Sequence, residues 1–170
     1  MRCPACGHEN LPGLDECASC TNSLMQEDVP QPTTPLEATI MGAPVTSLTV
    51  PAPECVALGT PLARAIGRMQ EQNIGYLLVV DGGGKLVGIF TERDLLRKVA
   101  GQEVDLETTP VERVMTRNPS SLKPDDPIAQ ALHLMAVEPG YRYIPIIDEE
   151  GRPHGLVSFR RICRLLESPG

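Results

Sequence analysis

The stretch YLLVVDGGGKLVGIFT at residues 76–91 returns, with the same internal spacing, as YIPIIDEEGRPHGLVS at residues 143–158. Both copies open on a tyrosine, continue through apolar residues to an aspartate, and place two glycines and a final hydroxyl residue at matching positions. Residues 61–66 and 127–132 form a second matching pair. Because an internal repeat decides the architecture before any single motif does, we expect two halves that fold alike.

Each copy predicts the order strand, helix, strand, strand, helix. A short strand near Val56 or Leu122 leads into a helix that begins at Pro61 or Pro127, where proline pre-sets the first helical turn. Apolar residues then recur at helical spacing, so these helices need an apolar surface to pack against. The quoted stretches supply that surface, because each contains two strands joined by a turn. With a last helix after each stretch, the prediction is an α+β fold.

Four of the six cysteines occur as two C-x2-C pairs near the start of the chain: Cys3, Cys6, Cys17 and Cys20. Two residues between thiolates let both sulfurs reach one ion, and two such turns complete a tetrahedral site of four sulfurs. We predict a zinc ribbon over residues 1–22, folded by its metal because so short a segment buries little apolar surface. Two disulfides or an iron site would use the same cysteines, and both alternatives stay open.

The remaining boundaries follow from composition. Residues 23–39 contain three prolines and no amphipathic period, which predicts an extended linker. We therefore expect the ribbon to be mobile relative to the repeats. The first repeat is expected over residues 40–103 and the second over residues 104–170.

The charge balance disfavours nucleic acid as a partner. Fifteen basic and twenty-two acidic residues give the 170-residue chain a net charge of −7, which repels phosphate backbones. Residues 1–22 are acidic as well, with Arg2 as their single basic residue. Because we find neither a secretory signal nor an apolar run long enough to span a bilayer, we expect a cytoplasmic protein without membrane contact.

Four segments carry a family resemblance, namely residues 88–95, 115–119, 143–148 and 155–158, which read GIFTERDL, MTRNP, YIPIID and GLVS. Their repetition in this order is similar to tandem cystathionine-β-synthase-type (CBS) domains, also called a Bateman module, over about residues 40–167. The resemblance implies two CBS motifs packed as a pseudo-two-fold pair with up to two clefts, and frequent pairing into a homodimer. It also implies a ligand of the adenosine class, such as AMP, ADP, ATP or S-adenosylmethionine.

The candidate nucleotide site lies at Gly88, Thr91 and Asp94 of the first repeat. A hydroxyl at a helix start and a carboxylate one turn later let free N–H groups face an anion while the carboxylate accepts from a ribose diol. Gly88 leaves room for a flat base or sugar. By resemblance, Asp94 would hold the ribose hydroxyls and Thr91 would contact phosphate. The resemblance also implies a phosphate contact from Arg142, with Tyr143 beside it.

The second repeat departs from this pattern. It keeps the hydroxyl as Ser158, but Arg161 stands where Asp94 would be, so we expect one competent nucleoside site in the chain. The second cleft is then either empty or takes a phosphate-rich ligand met by Arg160 and Arg161. A solvated helix face is the alternative for these arginines.

These features favour a regulatory module that senses an adenosine nucleotide between its repeats and whose ribbon contacts an unknown protein partner. One alternative is a dimerising scaffold without a ligand, in which the Thr-x-x-Asp pattern serves only as a helix capping box. Another is binding of a protein or nucleic acid through the ribbon. The three histidines form no recognisable catalytic set, so we do not expect an enzyme.

Overall fold

The computed structural model describes residues 3, 6–11, 14–21, 24, 32–48, 50–137 and 141–167, the last two residues by their backbone alone. The chain forms two compact units, Met1–Glu37 and Ala38–Gly170. Much of the predicted linker, parts of the predicted ribbon and residues 168–170 of the predicted second repeat lie outside the described residues. Within these ranges, no helix combines the length and the apolar character that crossing a membrane requires.

The N-terminal unit is built on two similar turns that follow Cys3 and Cys17. The backbone N–H of Gly7 donates to the carbonyl oxygen of Cys3 at 2.9 Å, and that of Thr21 donates to Cys17 at 2.9 Å. Gly7 and Thr21 both have positive φ angles, 74° and 56°, the left-handed conformation that closes such turns. Leu24 is fully buried against Cys3 and Cys17, so this unit extends past the predicted ribbon end at residue 22.

Helix α1, Pro35–Gly42, begins inside the predicted linker. The backbone N–H of Glu37 donates to the Thr34 hydroxyl at 3.1 Å, and the Glu37 carboxylate accepts from the Thr34 N–H at 3.2 Å. This reciprocal pair is a capping box, and Pro35 occupies the first helical position, where its missing N–H costs nothing. Residues 35–39 are therefore helical rather than extended, and the Thr-Pro-x-Glu sequence carried the signal.

The first repeat forms a four-stranded sheet with one helix between its first two strands. The order of the strands is β1, β2, β3, β4, with β1 parallel to β2 and the other pairs antiparallel. In chain order the elements are β1 (Cys55–Ala57), α2 (Leu62–Glu71), β2 (Tyr76–Val80), β3 (Leu86–Thr91) and β4 (Thr116–Arg117). Helix α3, Glu92–Asp94, follows β3 and continues as a π-helical turn over Leu95–Val99.

The second repeat repeats this plan with fewer strands. Helix α4 (Ile128–Val137) precedes the antiparallel pair β5 (Tyr143–Ile147) and β6 (Pro153–Ser158), and α5 (Phe159–Glu167) follows it. The first residue of β5 pairs with the last residue of β6, as in the β2–β3 pair, and both pairs have an irregularity at the same point. The predicted α+β fold of two similar halves is confirmed.

The strand predicted near Leu122 is reduced to a single parallel bridge with Ile146. In the first repeat, the N–H of Leu78 donates to the carbonyl oxygen of Glu54 at 2.9 Å, next to the parallel β1–β2 pair. The counterpart of Leu78 in β5 is Pro145, which has no N–H to donate. The ladder of the second repeat is therefore shorter.

Each half completes its hydrophobic core with a segment that comes, in sequence, from the beginning of the other half. Val111, Val114 and Met115 are buried in the core of the first repeat. Val45 and Leu48 are buried in the core of the second repeat. We call residues 43–50 and 109–116 the crossing segments.

Equivalent hydrogen bonds hold the crossing segments in place. The N–H of Val111 donates to the carbonyl oxygen of Thr60 at 2.8 Å, and the N–H of Val45 donates to that of Asp126 at 2.8 Å. The repeats also meet through their sheets, where Leu78 and Leu156 belong to one buried cluster. Separating the halves would therefore remove buried side chains from both cores.

Two glycines make room for the crossing segments. A Cβ atom on Gly88 would overlap the sulfur of Met115, and one on Gly155 would overlap Cγ1 of Val50. The space expected beside Gly88 for a ligand is thus filled by Met115, which is 5% exposed.

We expect Gly88→Ala to lower the free energy of unfolding by about 1–3 kcal/mol, because the added methyl overpacks the core at Met115. Gly82→Ala is the matched control, since nothing lies within 4 Å of its Cβ position. Urea denaturation followed by circular dichroism measures both. Met115→Ala should lower the free energy of unfolding by less in the Gly88→Ala background than in the unmodified chain. Equal free energies of unfolding for Gly88→Ala and Gly82→Ala would contradict this packing.

Candidate functional site

A cavity of about 720 Å³ opens beside the start of α3. One side of the wall comes from α3 and the π-helical turn, another from β4, and a third from the residues that lead into β5. The polar lining residues that matter most are Thr91, Asp94, Lys98, Thr116, Arg142 and Tyr143. Both repeats and one crossing segment therefore contribute to this first cavity.

Asp94 is a buried carboxylate, only 6% exposed, on the wall of the first cavity. Its Oδ2 accepts from the backbone N–H of Thr91 at 3.0 Å and from the Thr91 hydroxyl at 2.8 Å. The N–H of Asp94 reaches the Thr91 hydroxyl oxygen at 3.4 Å. The capping box that the sequence allowed is present, and it fixes the carboxylate at the cavity wall.

The other carboxylate oxygen connects Asp94 to a crossing segment. Oδ1 accepts from Nζ of Lys98 at 2.7 Å and from the hydroxyl of Thr116 at 3.1 Å. Nζ of Lys98 also donates to the carbonyl oxygens of Val114 at 2.7 Å and Met115 at 3.3 Å. A ligand hydroxyl that approaches Oδ1 must therefore compete with, or replace, groups that hold residues 114–116.

Sequence reasoning missed Lys98 and Thr116 as site residues. Lys98 follows Asp94 by four positions, a spacing that places two side chains on the same side of a helix, so this signal was available. Thr116 lies in a segment that the sequence analysis used only for recognition. Thr116 reaches Asp94 because its crossing segment packs against the first repeat, and no local sequence pattern predicts that contact.

A second cavity of about 840 Å³ lies beside the start of α5. Ser158, Arg160 and Arg161 line it, at the positions that correspond to the start of α3 in the first repeat. Arg161 occupies the counterpart position of Asp94, so a cationic side chain replaces the buried carboxylate.

Tyr141, Arg142 and Tyr143 line both cavities. The rings of Tyr143 and Tyr76 have centroids 5.0 Å apart at an angle of 39°. Burial raises the pKa of the Tyr143 phenol and the Glu92 carboxylate adds to the rise, while the Arg142 guanidinium opposes both. Arg142, expected at the first cleft, therefore has access to either cavity.

The residues predicted to bind the nucleotide thus lie in three places: the first cavity, the second cavity and the packing contact with Met115. Thr91, Asp94, Arg142 and Tyr143 come together at the first cavity, and Ser158 lines the second. Gly88 faces Met115 instead, where it lets the crossing segment approach the sheet.

The four N-terminal cysteines converge, with their sulfur atoms all within 4.8 Å of one another. The Sγ atoms of Cys3 and Cys20 are 3.6 Å apart, as are those of Cys6 and Cys17. A sulfur–sulfur bond would be about 2.05 Å, whereas four sulfurs at about 2.3 Å from one ion are about 3.8 Å apart. The geometry fits a four-sulfur metal site, and all four thiols are free.

Cys17 lies in surroundings that favour its thiolate. Burial would raise the pKa of this thiol, but backbone N–H groups of Ser19 and Cys20 and the side chains of Asn10 and Cys6 lower it, to about 6 from 9.0. The Nδ2 group of Asn10 donates to Sγ of Cys17 at 3.5 Å, and the Ser19 N–H donates at 3.4 Å. Metals bind the thiolate form, so these donors prepare the site for an ion.

Residues 45–101 and 111–168 each match the sequence profile of the family described as CBS domain. An uncharacterized 17.7 kDa protein of Acidianus ambivalens is 36% identical over 105 residues, 62% of each chain. The CBS domain-containing protein CBSCBSPB5 of Arabidopsis thaliana is 37% identical over 98 residues, 55% of this chain and 18% of that protein. The chain thus spans less than two thirds of the length of either relative.

A solved structure shares the fold of the two repeats. It is the CBS domain pair of protein MJ0100 in complex with 5′-methylthioadenosine and S-adenosyl-L-methionine. It is 27% identical, has a TM-score of 0.64, and covers 73% of this chain and 99% of that chain.

Proposed function

The chain belongs to the CBS-domain family, and we propose that it is a regulatory module that binds an adenosine nucleotide in the first cavity. The observation that carries the proposal is the carboxylate of Asp94, 6% exposed, on the wall of a cavity of about 720 Å³. A carboxylate held there by its own helix cap is an acceptor prepared for the two hydroxyls of a ribose. The MJ0100 pair, solved with two adenosine compounds, supports this ligand class.

In this proposal each residue at the first cavity has a distinct role. Asp94 accepts from the ribose hydroxyls through Oδ1, while its Oδ2 stays in the capping box. Thr91 and Arg142 contact phosphate, and Tyr143 contributes to the wall. Gly88 acts indirectly, because it lets the crossing segment bring Thr116 close to Asp94.

Regulation follows from the competition at Oδ1. A bound ribose displaces Lys98 or Thr116 from the carboxylate, and both of these side chains hold the crossing segment at residues 114–116. Ligand binding is thereby coupled to the joint between the repeats. The coupling is as large as the difference in ligand affinity between the two arrangements.

We further propose that the four-cysteine cluster binds zinc and that the N-terminal unit contacts a protein partner. The converging sulfurs support the metal, and zinc prefers four thiolates in a tetrahedron. Cys3, Cys6, Cys17 and Cys20 would hold the ion, whose contribution is the folding energy of this small unit. The acidic character of residues 1–22 favours a protein over nucleic acid.

We also propose a homodimer that works in the cytoplasm and has a regulatory rather than a catalytic role. The family resemblance supports the dimer. The six cysteines are free thiols, and a site of four thiolates needs the reducing conditions found in that compartment.

A scaffold that needs no ligand is the second candidate function. It is favoured by Asp94 itself, because both carboxylate oxygens already accept hydrogen bonds from Thr91, Lys98 and Thr116. In that case the carboxylate serves only the stability of the first repeat.

Isothermal titration of the full chain with AMP, ATP and S-adenosylmethionine separates these functions. We expect at least one of them to bind in the first cavity, and Asp94→Ala to weaken binding there about tenfold or more, because hydrogen bonds to a charged group contribute about 1.5–3 kcal/mol each. Asp94→Asn, which keeps an oxygen for the helix cap, should also lose affinity.

Asp126→Ala is the matched control for this titration. Its carboxylate accepts from the backbone N–H of Lys123 at 2.7 Å near the start of α4, away from the residues that line the first cavity. It should bind the ligand as the unmodified chain does. Absence of binding by all three compounds to the unmodified chain would contradict the sensing function and support the scaffold.

Metal analysis of the purified chain tests the cysteine cluster. We expect one zinc ion per chain, its loss in Cys17→Ser, and its retention in the control Cys163→Ser, because Cys163 lies in α5. Iron in place of zinc, or one zinc still bound in Cys17→Ser, would contradict the proposed site.

A further inference from the structure

The second cavity is strongly cationic in an otherwise acidic chain. Among the residues that the structure describes, its lining contains four arginines and no aspartate or glutamate, although the chain has a net charge of −7. The four are Arg142, Arg160, Arg161 and Arg164. A concave surface with one sign of charge concentrates counter-ions of the other sign.

Three of these arginines have capacity to bind an anion. Within the part of the chain that the structure describes, no ion pair or hydrogen bond engages the side chains of Arg142, Arg160 or Arg161. Each guanidinium presents five N–H donors in a planar fork that matches phosphate oxygens in pairs. Arg161 is half-buried at the wall, and Arg160 and Arg142 are exposed.

Of the polar groups around Asp94 in the first cavity, only the Thr91 hydroxyl has an equivalent in the second, as Ser158. At the offset between the repeats, Asp94 corresponds to Arg161, Lys98 to Leu165, and Thr116 to Val50. None of the three replacements can accept a hydrogen bond through its side chain. The second cavity therefore lacks the carboxylate that would hold a ribose diol.

The cavity also gathers most of the aromatic side chains of the chain. All three tyrosines line it, together with one of the two phenylalanines. These residues are Tyr76, Tyr141, Tyr143 and Phe159. They offer flat surface on which a base could lie beside the arginines.

We propose that the second cavity is a binding site for a linear polyphosphate, held by arginine–phosphate contacts and without recognition of ribose hydroxyls. The cavity of about 840 Å³ has room for such an anion, and its charge matches several phosphate groups. The polyphosphate is either free or part of a nucleotide, and both share the same contacts. Arg142 is shared with the first cavity, but Arg160 and Arg161 line the second cavity and not the first, so the proposal does not rest on the ligand of the first cavity.

Titration calorimetry of the full chain with tripolyphosphate, ATP and 2′-deoxyATP tests the site. We expect tripolyphosphate to bind. The double variant Arg160→Ala with Arg161→Ala should lower its affinity about tenfold or more, because each charged hydrogen bond contributes about a factor of ten to the affinity. Arg113→Ala with Arg152→Ala removes the same charge from exposed arginines outside both cavities, and should change the affinity less than threefold.

The Asp94→Ala variant separates this site from the first cavity. It should keep its affinity for tripolyphosphate and for 2′-deoxyATP, whatever happens to AMP. Loss of tripolyphosphate binding in Asp94→Ala, with binding intact in the double arginine variant, would overturn the proposal. So would the absence of tripolyphosphate and 2′-deoxyATP binding to the unmodified chain.

The source of the polyphosphate follows from the ratio of affinities. Equal affinity for tripolyphosphate and ATP supports a free polyphosphate, and tighter binding of ATP and 2′-deoxyATP alike supports a nucleotide whose base lies on the aromatic wall. A strong preference for ATP over 2′-deoxyATP at the arginine-dependent site would contradict the absence of ribose recognition. Should the double variant fail to fold, Arg160→Gln with Arg161→Gln removes the charge and retains side-chain length.

Discussion

The crossing segments are the constraint from which the rest of the CBS pair follows. Val111, Val114 and Met115 pack in the core of the first repeat, although in sequence they belong to the beginning of the second repeat. The next residue, Thr116, donates to Asp94 at 3.1 Å. The same stretch of chain therefore closes a core and forms the wall of a cavity. Thr116 and Lys98 thus connect the Asp94 carboxylate directly to the segment that joins the repeats.

The two cavities show how a duplicated fold acquires two chemistries. The antiparallel pairs β2–β3 and β5–β6 correspond in register, and the cavities beside them differ in a few side chains at matching positions. A carboxylate held by a helix cap suits hydroxyl donors, whereas a guanidinium suits phosphate oxygens. Arg142 stands at both cavities, so two ligands bound together would compete for it or share it. The pair would then be a single sensor that responds to two different ligands, as we propose.

The sequence predicted what depends on local pattern and repetition. The α+β halves, the approximate start of each helix within the repeats and the grouping of Thr91 with Asp94 follow from spacing alone. The third strand of the second sheet, expected near Leu122, is reduced to a single bridge with Ile146, because Pro145 lacks the N–H that would extend the ladder. The packing of the crossing segments, and with it the contact of Thr116 with Asp94, depends on residues distant in sequence and leaves no period in the sequence.

The difference between the cavities can be read directly by native mass spectrometry of the full chain with AMP. AMP has a single phosphate, so its binding depends on the Asp94 carboxylate that accepts from its ribose hydroxyls. Each unmodified chain should therefore retain one AMP, and Asp94→Ala should retain none. Two equally bound AMP molecules per chain, or one that persists in Asp94→Ala, would contradict the assignment of the nucleoside to the first cavity.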